Sequence, residues 1–228
     1  MKIIKKCLLG LAAVGLTVSL SACGNGNKDS NEGEIGMSNV LNSKEMLPVV
    51  VTEGENEAEK DHILWAGFIG NGKVKAMNLD GSTYFYGYKD LKNLSDKEFN
   101  KSVIEMGKDS EPTPREYITS KTNVKLEPND DPDTNTDKAE SVSLDFLNND
   151  DDIKVRTTKE IVSNPNYSKV VKKEKNDEWS TIKTTDTDEE SDYKGYEMHI
   201  KIDKNEKSNL KLDNIKKAEK DYDNVTVE

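Results

Sequence analysis

The chain has 228 residues, 34% of them charged and 33% apolar, with a formal net charge of -11 and a mean hydropathy of -0.83. So polar and acidic a composition excludes a multi-span membrane protein, a coiled-coil rod and a basic nucleic-acid binder. The length allows one large domain or two of about 100 residues each.

The first 22 residues differ from the rest. Lys2, Lys5 and Lys6 precede an apolar stretch from Cys7 to Leu20, too short for the ~20 residues of a spanning helix and of the right length for the core of an export signal. Removing those three lysines moves the net charge of the remainder from -11 to -14. Leu20-Ser21-Ala22-Cys23 follows directly, with a branched apolar residue, two small residues and a cysteine. This resembles the lipobox of bacterial lipoproteins. The resemblance implies a diacylglyceryl group on the Cys23 thiol, cleavage between Ala22 and Cys23 by the lipoprotein-processing enzymes, and acyl chains such as palmitate in the membrane. Residues 1-22 are then the signal peptide, and the protein sits on the extracytoplasmic face of the cell membrane with membrane lipid as its first partner. Two acyl chains, at ~0.8 kcal/mol per buried methylene, hold a protein on a bilayer where one is marginal. Cys7 and Cys23 are the two cysteines, so the body after Cys23 has no thiol and forms no disulfide. That habit, with a composition rich in Lys, Asn and Asp, points to a low-GC Gram-positive source.

Residues 23-46 are rich in Gly, Asn and Ser with few apolar residues, and the expectation is a disordered tether spanning about 26 Å r.m.s.. A first folded unit is expected over 47-127. Val49-Val50-Val51 forms a β-branched run, and Ile63 to Ile69 is the densest apolar stretch after the signal. Asn71-Gly72 then predicts a tight hairpin, since both residues tolerate positive φ, and Asp80-Gly81 predicts a second turn into Ser82 to Tyr88. Three strands so joined make an antiparallel meander. Ser95-x-x-Glu98 is a capping box that starts a helix, whose face of Phe99, Val103, Ile104 and Met106 is expected to cover the meander, with Gly107 as its stop. Tyr117 to Leu126 resumes extended structure.

Residues 128-138, with Pro128, Pro132 and a high density of Asp and Asn, read as an acidic linker or loop. A second β-rich unit follows over 139-228. Val142, Leu144 and Phe146 alternate with polar residues, as do Met198, Ile200 and Ile202, and this period of two marks half-buried strands. Trp179 and Ile182 mark another strand, Asn214 to Asp221 a short helix, and Val225 to Val227 a last extended segment. The fold class read from the sequence is α+β, predominantly β: an antiparallel meander with one covering helix, then further antiparallel strands.

Chemistry is sparse. His62 and His199 are the two histidines, and neither lies in a catalytic motif; each reads as a surface or edge residue. With no thiol after Cys23, cysteine nucleophiles and cysteine-rich zinc sites are excluded. Asp131, Asp133, Asn135 and Asp137 alternate as an EF-hand loop opens, yet Thr136 replaces its glycine and Val142 its final glutamate, so these and the clusters Asp150-Asp152 and Asp186-Glu190 read as solvated turns. No catalytic residue, metal ligand or cofactor is assigned. Trp65, Tyr84, Tyr86 and Tyr88 form a candidate binding patch, the three tyrosines sharing one face by alternation. The function expected is a non-enzymatic surface binding or interaction module with an unknown surface or wall partner and no nucleic acid. The alternatives are a wall-polymer or peptide hydrolase using carboxylates and, third, a transport-associated substrate-binding lipoprotein.

Overall fold

A computed structural model describes residues 34-53, 62-79, 87-109, 115-128, 137-147, 167-171, 178-184, 196-202 and 209-228. The expected signal segment 1-22, the lipobox-like Leu20 to Cys23, Tyr84, Tyr86 and most of the acidic 128-138 stretch lie outside them. No helix among the described residues is long and apolar enough to cross a membrane.

Eight strands follow one another around a single ring: β2 (Leu47–Glu53), β3 (His62–Gly70), β4 (Lys73–Asn78), β5 (Ile118–Pro128), β6 (Ala139–Leu147), β7 (Tyr167–Val171), β8 (Trp179–Thr184) and β9 (Tyr196–Lys201). Each pairs antiparallel with the next, and β9 returns to pair with β2, which closes an up-and-down barrel. The narrowest seam is β6 to β7, joined in register at Val142 and Tyr167 alone. The protein is therefore α+β and mostly antiparallel β. Strands from both sides of residues 128-138 share this one sheet, so that stretch is a connection within a barrel where the sequence suggested a boundary between units. Period-two alternation looks alike in separate small sheets and in one closed sheet, and the long-range pairings of β5 with β6 and β2 with β9 make the difference.

Local signals place several elements where expected. The β3–β4 hairpin turns at Asn71 (φ 53°) and Gly72 (φ 67°), the mirror-image turn that matches strand twist. Helix α3 (Asp96–Lys108) starts at the predicted cap: Ser95 N–H and its hydroxyl both donate to the Glu98 carboxylate, and Glu98 N–H donates back to Ser95 Oγ. Those bonds hold the exposed Glu98 carboxyl below its usual range. The helix runs one residue past Gly107, which is not its stop. Gly107 is buried inside the helix, where a side chain would strike Met77 and the Arg115 carbonyl.

Two cores result. Inward residues of β2 to β6, β8 and β9 form a lumen core that includes Val51, Trp65, Val124, Val142, Ile182 and Met198. Only the inside of a ring brings side chains from so many strands together. Outside, α3 and a shorter helix α2 (Tyr88–Lys92) lay Phe99, Val103, Met106 and Leu91 over Val50, Ile63, Ala66 and Met77. This is the predicted covering helix, and it explains why Ile63 to Ala66 is buried on both faces. Sharp coiling of the hairpin requires Gly67, where an added Cβ would lie 1.9 Å from the Lys75 carbonyl oxygen.

From Glu34 to residue 46 the expected tether is folded structure, and its first part, residues 23-33, lies outside the described residues. From Glu34 the chain is built into the barrel: β1 (Glu34–Ile35) pairs parallel with β10 (Asn209–Leu210), and helix α1 (Met37–Leu41) buries Met37, Val40 and Leu41 in the lumen core. Together with α4 (Ile215–Asp221), which adds Ala218, it closes one end of the barrel. The last strand, β11 (Val225–Val227), joins β5 in parallel at Val124–Leu126, beyond the start of β4 at Lys73, which pairs with Lys121. Five residues cannot hold a helix by propensity, so α1 exists because its polar groups find distant partners. Met37 N–H, Ser38 N–H and the Ser38 hydroxyl all donate to the Asp213 carboxylate, while Asn39 donates to the Tyr222 hydroxyl and Asn42 to the Asn224 side chain.

Candidate functional site

The described surface concentrates its ionisable and aromatic chemistry where α2 crosses the outer face of β2, β8 and β9. His199 projects outward from β9 and is 5% exposed, contrary to the surface or edge position expected of it. Alternation puts it on the face away from Met198 and Ile200, and α2 covers that face, so a polar residue on the outer side of the sheet is nonetheless buried. Its Nε2 lies 3.2 Å from the Thr52 hydroxyl and its Nδ1 2.8 Å from the Thr181 hydroxyl. A threonine hydroxyl donates or accepts, so the pair complements either tautomer of the ring.

Tyr88 closes the site. It does not end a strand as predicted but opens α2, where Gly87 N–H donates to Asp90 at the helix start. Its ring stacks on His199 at 3.9 Å between centroids and meets Trp179 edge-on at 5.4 Å. Trp179 Nε1–H donates to the Lys92 carbonyl at 2.9 Å, tying α2 to β8. Around the rim, Glu197 lies 3.7 Å from His199 Nε2 and pairs with Lys183. Lys201 reaches the Leu94 carbonyl, Asp96 and Glu178, which fastens the start of α3 to the same wall.

This arrangement is a fastening rather than a proton-transfer site. Both ring nitrogens of His199 are engaged and one ring face is covered, and the neighbouring acid sits on the Nε2 side, where a general base would need its substrate. His62 is half-buried at the start of β3, bridged through its backbone to Gly87. Among the described residues no group of three or more potential metal ligands comes together. Asp137, the described member of the EF-hand-like run, pairs with Lys216 at 2.7 Å.

The predicted aromatic patch is divided by the barrel wall. Trp65 faces the lumen and is 0% exposed, whereas Tyr88 lies outside on His199. Trp65 therefore offers no surface to a partner, because β3 carries it inward in register with Val51.

Sequence reasoning missed Asp213. It is 3% exposed, and burial raises its carboxyl above the ordinary value despite the bonds from Ser38 and Met37, which act the other way. Its partners lie 175 and 176 residues away, and no local pattern announces such a cap. Tyr117, packed against Phe68 with Lys75 Nζ 4.2 Å from its ring centre, is likewise pushed up by burial.

The class that fold and site define is a mostly β, α+β barrel of eight antiparallel strands, plugged at one end by short helices and braced outside by α2 and α3. No family model, curated protein or solved structure matches the chain.

Proposed function

We propose that the protein is a lipid-anchored lipoprotein of the extracytoplasmic membrane face, whose barrel is a non-enzymatic binding or interaction module. The observation that carries the reading is Leu20-Ser21-Ala22-Cys23 behind a basic and apolar leader, with Glu34 of the barrel following Cys23 closely. Ten residues separate Cys23 from Glu34 in the sequence, and the described chain begins at Glu34. It enters the fold at the end closed by α1 and α4, so that end is held toward the bilayer and the opposite end is presented outward. A net charge of -14 after the signal adds repulsion from anionic headgroups within a Debye length of ~8 Å.

Binding is favoured over histidine-based hydrolysis because His199, which lies beside Glu197, spends both ring nitrogens on Thr52 and Thr181. The test of the anchor is labelled fatty-acid incorporation and detergent-phase partitioning of wild type against Cys23→Ala. Label and detergent partitioning are expected in the wild type and lost in the variant; equal behaviour of the two overturns the anchor. Capture of a wall or surface partner from intact cells by the anchored protein tests the binding role.

A further inference from the structure

We propose that the outer face of β4 and β5 docks an anionic polymer with phosphate in its repeat, gripped by Lys73, Lys75 and Lys121.

Val74 and Ala76 of β4 and Val124 and Leu126 of β5 face the lumen, so alternation turns Lys73, Lys75, Thr119, Lys121 and Asn123 outward. Lys73 stands directly opposite Lys121 in the ladder, and Lys75 opposite Thr119. Opposed side chains lie about 5 Å apart at Cβ, and next-but-one residues of a strand about 7 Å. Three ammonium groups therefore share one patch. Lys75 is steadied there by aromatic rings, its Nζ lying 4.2 Å from the ring centre of Tyr117 and 5.8 Å from that of Phe68. No acid occupies an outward position of β4, or of β5 from Thr119 to Lys125. Glu116, before β5, and Asp145, in register with Asn123 on β6, mark the limits of the patch.

Like charges set directly opposite in a sheet destabilise it. In a chain of net charge -11, acids are in excess, and other described lysines pair with them: Lys101 with Glu105, Lys125 with Glu228, Lys183 with Glu197, Lys201 with Asp96 and Lys216 with Asp137. Lys73 and Lys121 are exposed and form no ion pair among the described residues. An anion seated between them turns one repulsion into two attractions. The net charge does not forbid this, because acids beyond a Debye length of ~8 Å are screened at physiological ionic strength.

The groups present select the partner. None of the three cations is arginine, whose planar fork suits a carboxylate; ammonium groups act as point charges, and several can share the oxygens of one phosphate. The rings beside the patch carry Lys75 over them, where a nucleic acid would need a free face for a stacked base. Lys73 follows the Asn71–Gly72 turn, and Gly72 N–H donates to the Leu41 carbonyl, which sets the patch beside the plugged end. That end also exposes Glu45, Glu219, Asp221 and Asp223. A flat anionic bilayer would meet these acids together with the lysines, whereas a single polymer chain laid along β4 avoids them.

The inference names a partner chemistry for the binding role and rests on that role, not on the anchor. The full chain carrying Cys23→Ala is titrated with fluorescently labelled inorganic polyphosphate and followed by anisotropy, from ~50 mM salt upward. Saturable binding is expected. Lys73→Gln with Lys121→Gln should weaken it at least about ten-fold and reduce the salt slope by roughly 1–2. Lys89→Gln with Lys97→Gln, which removes the same charge from α2 and α3, should change it by less than about two-fold, since those phosphate contacts are absent there. Lys2, Lys5 and Lys6 are present in every variant, so their contribution cancels. Absence of saturable polyphosphate binding, or equal loss in both double variants, overturns the proposal. So does wild-type binding of monomeric phosphate, polyglutamate, oligodeoxythymidylate or phosphatidylglycerol vesicles as tight as that of polyphosphate, a comparison that stands whatever the variants do. Capture of a wall or surface partner by a protein that ignores polyphosphate would overturn this inference and leave the binding role intact.

Discussion

Replacing Asp213 by alanine tests whether the N-terminal plug is held by one buried carboxylate. The substitution removes the acceptor for Met37 N–H at 2.8 Å, Ser38 N–H at 3.1 Å and the Ser38 hydroxyl, all in a buried setting. Losing three such bonds, at about 1–1.5 kcal/mol each, costs ~3–4 kcal/mol. Relief of the desolvated carboxylate returns about 1 kcal/mol, which leaves a net loss of ~2–3 kcal/mol. With a urea m-value of roughly 2–3 kcal/mol per molar, the midpoint should fall by about 1 M. Hydrogen exchange should show loss of protection at Met37, Ser38 and Val40, whose N–H donates to Gly36, before any change in β2 to β4. A midpoint within about 0.3 M of wild type, or unchanged protection in α1, would refute the reasoning. The same carboxyl sets a pH dependence. Burial raises its folded pKa above the unfolded value near 3.8, so the folded state holds the proton more tightly. Its stabilising contribution is complete below that unfolded value and is lost as pH rises through the folded one. Asp213→Asn should therefore gain on wild type between pH 4 and pH 7 in parallel urea titrations, and a constant difference would contradict the assignment.

Three further substitutions probe the rest of the wall. Ser95→Ala removes the capping box of α3 and should lower stability by about 1 kcal/mol, read by thermal melting; no change would show that packing of Phe99 and Val103 alone holds the helix. Gly67→Ala drives a Cβ to 1.9 Å from the Lys75 carbonyl, so the β3–β4 hairpin must open. Loss of the cooperative unfolding transition is expected, and a native-like midpoint would contradict the close approach. His199→Phe keeps a ring under Tyr88 but removes the nitrogens bonded to Thr52 and Thr181, a loss of about 2–3 kcal/mol at one buried and one half-buried hydroxyl. A urea midpoint like that of wild type would show that the stacking alone secures α2.

The sequence by itself determined the elements whose causes are local. Asn71-Gly72 specifies its turn through backbone freedom, Ser95 and Glu98 specify the start of α3 through bonds between residues three apart, and alternation in Val142 to Leu144 and Met198 to Ile202 specifies strands with one apolar face. The resemblance of Leu20 to Cys23 to a lipobox is local too, and the proposed anchor rests on those four residues and the leader before them, independent of the fold. Only the tertiary structure decided which face of each strand is lumen, that β9 closes onto β2, and that residues 34 to 43 are a plug instead of tether. Those outcomes depend on partners far apart in the chain, such as Asp213 for Ser38 and Thr52 for His199, and neither composition nor periodicity encodes which distant residue arrives. His199 shows the limit most plainly: alternation put it correctly on the outer face, and α2, laid across that face by Leu91 and Tyr88, made the outer face an interior.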